Sequence, residues 1–166
     1  MTTGGLHIDV MPETATWAAA LPDAETVARH ATLTAWQKAG DTNRNTEVSI
    51  VFGDDEMVQR LNGTYRDQDK PTNVLSFPAD GDEAPAGAPC LLGDIVLAYE
   101  TIAREAQEQD KTLSDHLSHL CVHGMLHLLG YDHQTDDEAE DMEALEVEIL
   151  AGIGIADPFV TALQEV

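Results

Sequence analysis

Several features that define other protein classes are scarce in this sequence of 166 residues. It has two cysteines, too few for a disulfide framework, which favours a reducing compartment. No stretch reaches the ~18–20 consecutive apolar residues of a membrane span. The first ten residues, MTTGGLHIDV, lack a basic segment followed by an apolar one, so no secretory signal is expected. The sequence therefore predicts a cytoplasmic protein with no membrane partner.

Basic residues are also scarce. Eight Lys and Arg residues stand against 31 Asp and Glu residues, which gives a formal net charge of −23. Because phosphate contacts come mainly from Lys and Arg, this composition argues against an ordinary nucleic-acid binder, and DNA is not an expected partner. Arg60, Arg66 and Lys70 nevertheless fall within eleven positions. Any site for a polyanion would have to be local and assisted by a metal ion.

Hydrophobic periodicity predicts about four strands and about five helices. The predicted strands are 6–11, 46–53, 72–77 and a fourth that starts at Cys90. The predicted helices are 23–39, one after Asp54, one after the fourth strand, one from Thr112 to Gly130, and one after Thr135. This pattern is typical of an α/β (α+β) fold, and the length fits a single domain over residues 1–166. The order of the strands in the sheet does not follow from the pattern.

Local signals mark several helix ends. Asp54 stands where an N-cap is expected, and Thr135 with Glu138 three residues later forms a capping-box sequence. Gly130 is well placed to end its helix in the left-handed conformation.

The segment HGMLHLLGYDH, residues 123–133, carries three histidines in eleven positions. His123 and His127 are four residues apart, so on a helix they project from the same face with Cβ atoms ~6 Å apart. Gly130 allows the chain to turn back, which could bring His133 to the same point. Three histidine ligands with an open fourth position are typical of a catalytic zinc site, although nickel or copper would also suit three imidazoles.

These histidines also have interpretations other than metal binding. A single histidine on an apolar face is usually a hydrogen-bonded core residue, but three with this spacing favour a metal site. A structural zinc site would usually carry cysteine and four protein ligands. Cys121 precedes His123 by about 200° of helix rotation, given 3.6 residues per turn, and is predicted to lie in the core. His119 continues the row of His123 and His127, and is either a hydrogen-bond partner of a ligand or a histidine without a role.

The position after the first histidine is also informative. Zinc peptidases of the HExxH type place a glutamate there as general base, and this chain has Gly124. The ligand spacing is therefore similar to that of a zincin, but the peptidase base is absent. Peptide hydrolysis is the weakest of the enzymatic interpretations.

Three blocks together resemble the YbeY family of bacterial metal-dependent endoribonucleases. The blocks are HGMLHLLGYDH at 123–133, LNGTYRDQDKPTNVLSFP at 61–78 and LGDIVLA at 92–98. The resemblance implies a zincin-like fold with a mixed sheet and one zinc ion held by His123, His127 and His133. It also implies cleavage of single-stranded ribosomal RNA, maturation of the 3′ end of 16S rRNA and ribosome quality control.

The resemblance also assigns residues outside the histidine segment. Arg66 matches the functionally important arginine of the family, which implies a catalytic role on phosphate; a surface arginine paired with Asp67 or Asp69 is the alternative. Asn73 stands where the family usually has aspartate, which retains the size and one acceptor but loses the charge.

Further residues are predicted to support the site from its neighbourhood. Arg60 and Lys70 are candidates for guiding the RNA strand. Asp132, beside His133, is a candidate acceptor for an imidazole N–H, with capping or solvation as the alternative.

A non-catalytic function competes with the nuclease interpretation. The protein could be a ribosome-assembly factor whose metal ion stabilises the fold, and the acidic composition suits contacts with the ribosomal small subunit or its assembly proteins. A zincin-like peptidase is a distant third possibility.

Overall fold

Alternating apolar residues form four strands that pair into one mixed sheet. The computed structural model describes residues 5–66, 72–79, 90–131 and 135–158, with Tyr65 and Arg66 described for the backbone alone. The strands are β1 (Leu6–Pro12), β2 (Thr46–Gly53), β3 (Val74–Pro78) and β4 (Cys90–Ala98). Their order in the sheet is β1-β2-β4-β3; β1, β2 and β4 run parallel, and β3 is antiparallel to β4.

Six helices connect and cover the strands in the described part of the chain. They are α1 (Thr16–Ala20), α2 (Ala24–Ala39), α3 (Asp55–Arg66), α4 (Tyr99–Glu108), α5 (Leu113–Leu128) and α6 (Asp136–Gly152). The α+β class and the four-stranded mixed sheet are therefore confirmed. The specific likeness to a zincin stays a prediction. None of the described helices combines the length and the apolar composition needed to cross a bilayer.

The predicted helix count was one too low because α1 was not recognised. This helix has five residues, and its Trp17 side chain is buried, with 2% of its surface exposed. The Trp17 indole N–H donates to the Gly53 carbonyl at 3.0 Å, and its ring packs edge-on against Phe52 and Tyr99. A helix this short has little stability of its own, so these tertiary contacts rather than helix propensity hold it.

The sheet buries both of its faces, as side-chain alternation along a strand requires. Ile50 and Ile95 belong to the larger core, which includes side chains of α2, α5 and α6. Their neighbours Val51 and Val96 belong to a smaller core on the other face, together with Val58 of α3. Helices α5 and α3 therefore lie on opposite faces of the sheet.

Side-chain caps set the starts of three helices, at Asp54 and Thr135 as the sequence predicts and also at Thr112. The side chains of Asp54, Thr112 and Thr135 each accept a hydrogen bond from the backbone N–H three residues later, at 2.9–3.1 Å. At the start of α6 the Glu138 side chain also accepts from the Thr135 N–H, which completes the capping box. These caps place the N-terminus of α6 directly after the segment that contains His133.

Helix α5 packs closely against the sheet at Gly124. A Cβ atom at this position would lie 3.1 Å from Ile95 Cγ2 and 3.2 Å from Ser76 Oγ, and the Ser76 hydroxyl donates to the Gly124 carbonyl at 3.2 Å. Position 124 therefore faces the sheet, and a glutamate there would be directed against Ile95 and Ser76. This packing disfavours a glutamate at position 124.

We expect Gly124→Val to destabilise the protein because its branched side chain must push α5 away from β3 and β4. Overpacking of this kind costs about 1–3 kcal/mol, measurable as a lower midpoint in urea unfolding. The matched control is Gly152→Val at the end of α6, where no heavy atom lies within 4 Å of the added Cβ. The control should change stability by less than about 0.5 kcal/mol. Equal effects of the two substitutions would contradict the close packing of α5.

Candidate functional site

Two histidines of α5 face one another on successive turns. Their ring centroids are 4.5 Å apart, and His123 Nε2 lies 3.0 Å from His127 Nε2. The i, i+4 spacing on a continuous helix produces this convergence. The structure thus brings two of the three predicted metal ligands together.

The end of α5 fixes the orientation of the His127 ring. Gly130 has φ +105°, and the N–H groups of Gly130 and Tyr131 donate to the carbonyls of His127 and Leu126 at 3.1 and 3.0 Å. These two bonds are those of a Schellman motif. The turn brings the Tyr131 carbonyl within 3.1 Å of His127 Nδ1. Because a carbonyl can only accept, His127 Nδ1 carries a proton in this contact.

The orientation of the His123 ring is set by a glutamate on α6. Glu146 is 1% exposed, and its Oε1 atom lies 2.8 Å from His123 Nδ1 and 3.3 Å from His119 Nε2. Burial alone would raise the pKa of this carboxyl group. The hydrogen bonds and charges of His119 and His123 outweigh burial and lower the pKa to about 2. Glu146 is therefore an ionised acceptor at neutral pH, and His123 Nδ1 is the donor.

These contacts leave a nitrogen lone pair on each facing atom. In the neutral form with the proton on Nδ1, each of His123 and His127 has an acceptor lone pair on Nε2, and these two Nε2 atoms lie 3.0 Å apart. Two lone pairs at this distance repel unless a cation lies between them. Nitrogen ligands ~2.0–2.1 Å from a zinc ion would be ~3–3.4 Å apart for angles near ~90–110°. The pair fits a divalent metal ion in both spacing and donor chemistry.

The third predicted ligand, His133, and its neighbour Asp132 lie outside the described residues. The segment 132–134 joins Tyr131, whose carbonyl contacts His127, to Thr135, which caps α6. Within residues 5–66, 72–79, 90–131 and 135–158, no group of three His, Cys, Asp or Glu side chains is arranged to hold a metal ion. A site with three histidines therefore stays a prediction.

A cavity of about 340 Å³ opens beside the paired histidines, between α5 and α6. Its walls combine apolar and polar side chains. The lining residues are Asn73, His119, Leu120, His123, Ala139, Met142, Glu143 and Glu146. His119, predicted as a hydrogen-bond partner of a ligand or a histidine without a role, lies with Nε2 3.3 Å from Glu146 Oε1 and with its ring edge-on to His123 at a centroid distance of 6.4 Å. Cys121 is fully buried, and burial raises its pKa to about 12, so it acts as a core residue as predicted.

Asn73 joins the cavity to a second buried histidine. Its amide nitrogen donates to Glu105 Oε1 at 3.0 Å, and the same oxygen lies 3.0 Å from His116 Nε2. His116 is 3% exposed, and burial lowers its pKa although Glu105 opposes this shift. An amide at position 73 supplies a donor that an ionised aspartate could not. Glu105 thus gives a physical reason for asparagine at this position of the chain.

Of the three basic residues predicted to act on RNA, only the side chain of Arg60 is described by the structure. Arg66 is the last residue of α3, seven positions before Asn73, and its side chain lies outside the described residues, as does Lys70. Arg60 lines a separate cavity of about 220 Å³ together with Glu13, Asp54 and Glu56. The structure therefore does not bring Arg60 to the histidine cavity, and its acidic neighbours disfavour an RNA contact there.

Glu146 and Glu105 are the residues that reasoning from the sequence missed. For Glu146 a signal was present: Met142, Glu146, Ile149 and Leu150 are the buried residues of α6 and follow the i, i+4, i+7, i+8 spacing of one helix face. A carboxylate within an apolar stripe must find buried donors. Glu105 gave no such signal, because its partners are Asn73, directly before β3, and His116 of α5.

Comparisons with known proteins agree on one family. The model of the family described as endoribonuclease YbeY matches residues 14–154. The chain is 53% identical over 146 residues to the endoribonuclease YbeY of Paramagnetospirillum magneticum, covering 86% of this chain and 89% of that protein. It is 51% identical over 156 residues to the endoribonuclease YbeY of Azorhizobium caulinodans, covering 93% and 96%.

A solved structure supports the fold. TM1509 from Thermotoga maritima, known from a solution structure, superposes with a TM-score of 0.52 at 22% identity, covering 88% of this chain and 91% of that one. This likeness shows the fold alone.

We expect Asn73→Asp to destabilise the protein at neutral pH, because it places a second carboxylate against Glu105. Repulsion raises the pKa of one of the two carboxyl groups in the folded state, so stability is lost as the pH rises through that raised pKa and is recovered as the pH falls. Urea unfolding at several pH values measures the effect. The control is Asn45→Asp, because Asn45 is exposed and accepts a hydrogen bond from the Gly5 N–H, which aspartate can also do. A variant at position 73 with the pH profile of wild type would refute the Glu105 contact.

Proposed function

Because the chain belongs to the endoribonuclease YbeY family, we propose that it is a zinc-dependent endoribonuclease that cleaves single-stranded ribosomal RNA. In the cell it would act in 16S rRNA 3′-end maturation and ribosome quality control, in the cytoplasm and in contact with the ribosomal small subunit or its assembly proteins. The observation that carries the proposal is the convergence of two imidazole nitrogens on one helix face, with His123 Nε2 and His127 Nε2 3.0 Å apart. The names of the relatives support the endoribonuclease activity.

In this proposal His123, His127 and His133 hold the zinc ion. The first two come from helix α5. His123 Nδ1 contacts Glu146 and His127 Nδ1 contacts the Tyr131 carbonyl, so both Nε2 atoms are directed to one point. His133 follows in the connection to α6. When bound, zinc would polarise the scissile phosphodiester and lower the pKa of a water molecule. Nickel or copper would fit the same nitrogen ligands.

Arg66 is proposed to bind the phosphate that is cleaved. Its guanidinium is permanently charged and offers paired donors that match phosphate oxygens. It ends α3, and Asn73 of the histidine cavity follows seven positions later, so a short connection separates the two. Lys70 lies in that connection and is proposed to guide the strand. Asp132 is proposed to orient His133.

Acidic residues surround the cavity and limit how RNA could bind there. Glu143 lines the cavity, and the first turn of α6 carries three acidic residues at 136–138. These carboxylates repel a phosphate backbone, so α6 would border the RNA path rather than bind it. Binding would then depend on the metal ion and on Arg66, which concentrates recognition at the scissile phosphate.

The acidic composition also favours a second candidate, a non-catalytic assembly factor with a structural metal ion. A net charge of −23 suits contacts with basic protein segments better than contacts with RNA. Metal removal by a chelator separates the two. A structural ion would take the fold with it, whereas a catalytic ion would leave a folded protein without nuclease activity.

We expect the purified protein to carry about one zinc ion per chain and His127→Ala to lose most of it, because two nitrogen ligands hold zinc far more weakly than three. Elemental analysis of the dialysed protein measures the metal, and circular dichroism monitors the fold. His30→Ala is the control, because His30 is an exposed histidine of α2. Full zinc occupancy in a protein lacking both His123 and His127 would refute the site.

We expect Arg66→Ala to retain zinc and fold but to lose about 10–100-fold in cleavage of single-stranded RNA. A charge-assisted hydrogen bond contributes on the order of 1.5–3 kcal/mol, which gives this range if the bond forms in the transition state. Arg66→Lys should rescue the activity in part, because an ammonium cannot reproduce the paired donors of arginine.

The matched control for this comparison is Arg104→Ala, which removes an exposed arginine paired with Glu108 on α4. Its cleavage rate should equal that of wild type. Normal cleavage by Arg66→Ala would show that Arg66 does not act on the phosphate.

A further inference from the structure

We infer that Glu146 is a positioning residue for the metal centre, whose buried carboxylate holds the His123 imidazole in the tautomer that directs Nε2 toward His127. The role in metal binding rests on the proposed function. The role in setting the tautomer rests on the contact between Glu146 and His123, so the two can be tested separately.

The geometry places the Glu146 carboxylate as an acceptor at His123 Nδ1. The 2.8 Å contact is short, as expected for a hydrogen bond to a charged acceptor. Glu146 belongs to α6 and His123 to α5, so the contact joins two helices through residues that are 23 positions apart in the sequence. A hydrogen bond of this kind at the distal nitrogen is what fixes the tautomer and ring orientation of histidines that bind metals.

The position of Glu146 on its helix argues that the carboxylate serves the site rather than stability. It occupies one place of the buried stripe that otherwise holds Met142, Ile149 and Leu150. A buried ion at such a place costs several kcal/mol in desolvation, and an apolar side chain of similar volume is often neutral or stabilising. What an apolar side chain cannot supply is an acceptor for His123.

His119 provides the second contact that makes the buried carboxylate tolerable. Its Nε2 atom lies 3.3 Å from the same oxygen, and its side chain is 13% exposed, compared with 27% for His123. His119 therefore contacts the same carboxylate oxygen as His123, and its ring also packs edge-on against the His123 ring. This gives a physical account of a third histidine in the row that is not itself a ligand.

The experiment compares Glu146→Met, Glu146→Gln and the control Glu143→Gln. Methionine retains the approximate volume and removes the acceptor, and glutamine retains a neutral acceptor. Glu143 is an exposed carboxylate on the same helix and the same cavity, but it makes no described contact with His123. Thermal unfolding of each metal-free protein reports whether the fold is kept. Should Glu146→Met fail to fold, Glu146→Gln carries the test.

Two measurements are made on each variant. The first is the tautomer of His123 in the metal-free protein, from long-range ¹⁵N–¹H spectra at about pH 8, well above the ~6.5 reference pKa of histidine. The second is the zinc dissociation constant, from competition with a chromogenic chelator. Neither measurement requires nuclease activity.

We expect wild type and Glu143→Gln to show the Nδ1–H tautomer at His123 and equal zinc affinity. Glu146→Met should lose that tautomer preference and bind zinc about 10–100-fold more weakly, with Glu146→Gln in between. A folded Glu146→Met protein that retains both the tautomer and the zinc affinity of wild type would overturn the inference. If wild type binds no zinc, the metal proposal fails, and the tautomer comparison still decides whether Glu146 positions His123.

Discussion

The close contact of α5 with the sheet at Gly124 is the constraint on which the site depends. Gly124 lies against Ile95 and Ser76, and this contact sets the rotation of α5 about its axis. Once that rotation is set, the core side of the helix is filled by residues such as Cys121, and the side with His119, His123 and His127 turns toward α6. A larger residue at position 124 would displace the helix, and with it the histidines. The site is thus a consequence of helix packing as much as of histidine spacing.

Electrostatics in this protein operate at two different scales. Over the whole surface, a net charge of −23 repels polyanions, an effect that salt screens within about 10 Å or less at physiological ionic strength. In the interior, the Glu146 carboxylate lies in a much less polar environment and interacts strongly with two imidazoles. A buried negative charge next to His123 favours a bound cation, whereas the surface charge disfavours the substrate that the cation would serve. Local arrangement therefore decides the chemistry, and the average charge does not.

Much of the local structure could be predicted because it depends on short-range interactions. The caps at Asp54, Thr112 and Thr135 and the left-handed turn at Gly130 each involve residues within five positions of each other. Helix α1 could not be predicted in this way, because Trp17 is held by β2 and by Tyr99. The Glu105 contacts with Asn73 and His116 were missed for the same reason, as they join residues 32 and 11 positions apart, respectively.

The sequence by itself determined the family, the α+β class, and the pair of histidines that share one helix face, because i, i+4 spacing is a property of the helix alone. Tertiary structure alone decided the strand order β1-β2-β4-β3, the separate location of Arg60, and the partner of each histidine nitrogen. The physical reason is the same in each case. A ring nitrogen's protonation depends on the acceptor beside it, and for His123 that acceptor is a carboxylate brought from another helix by packing of the core.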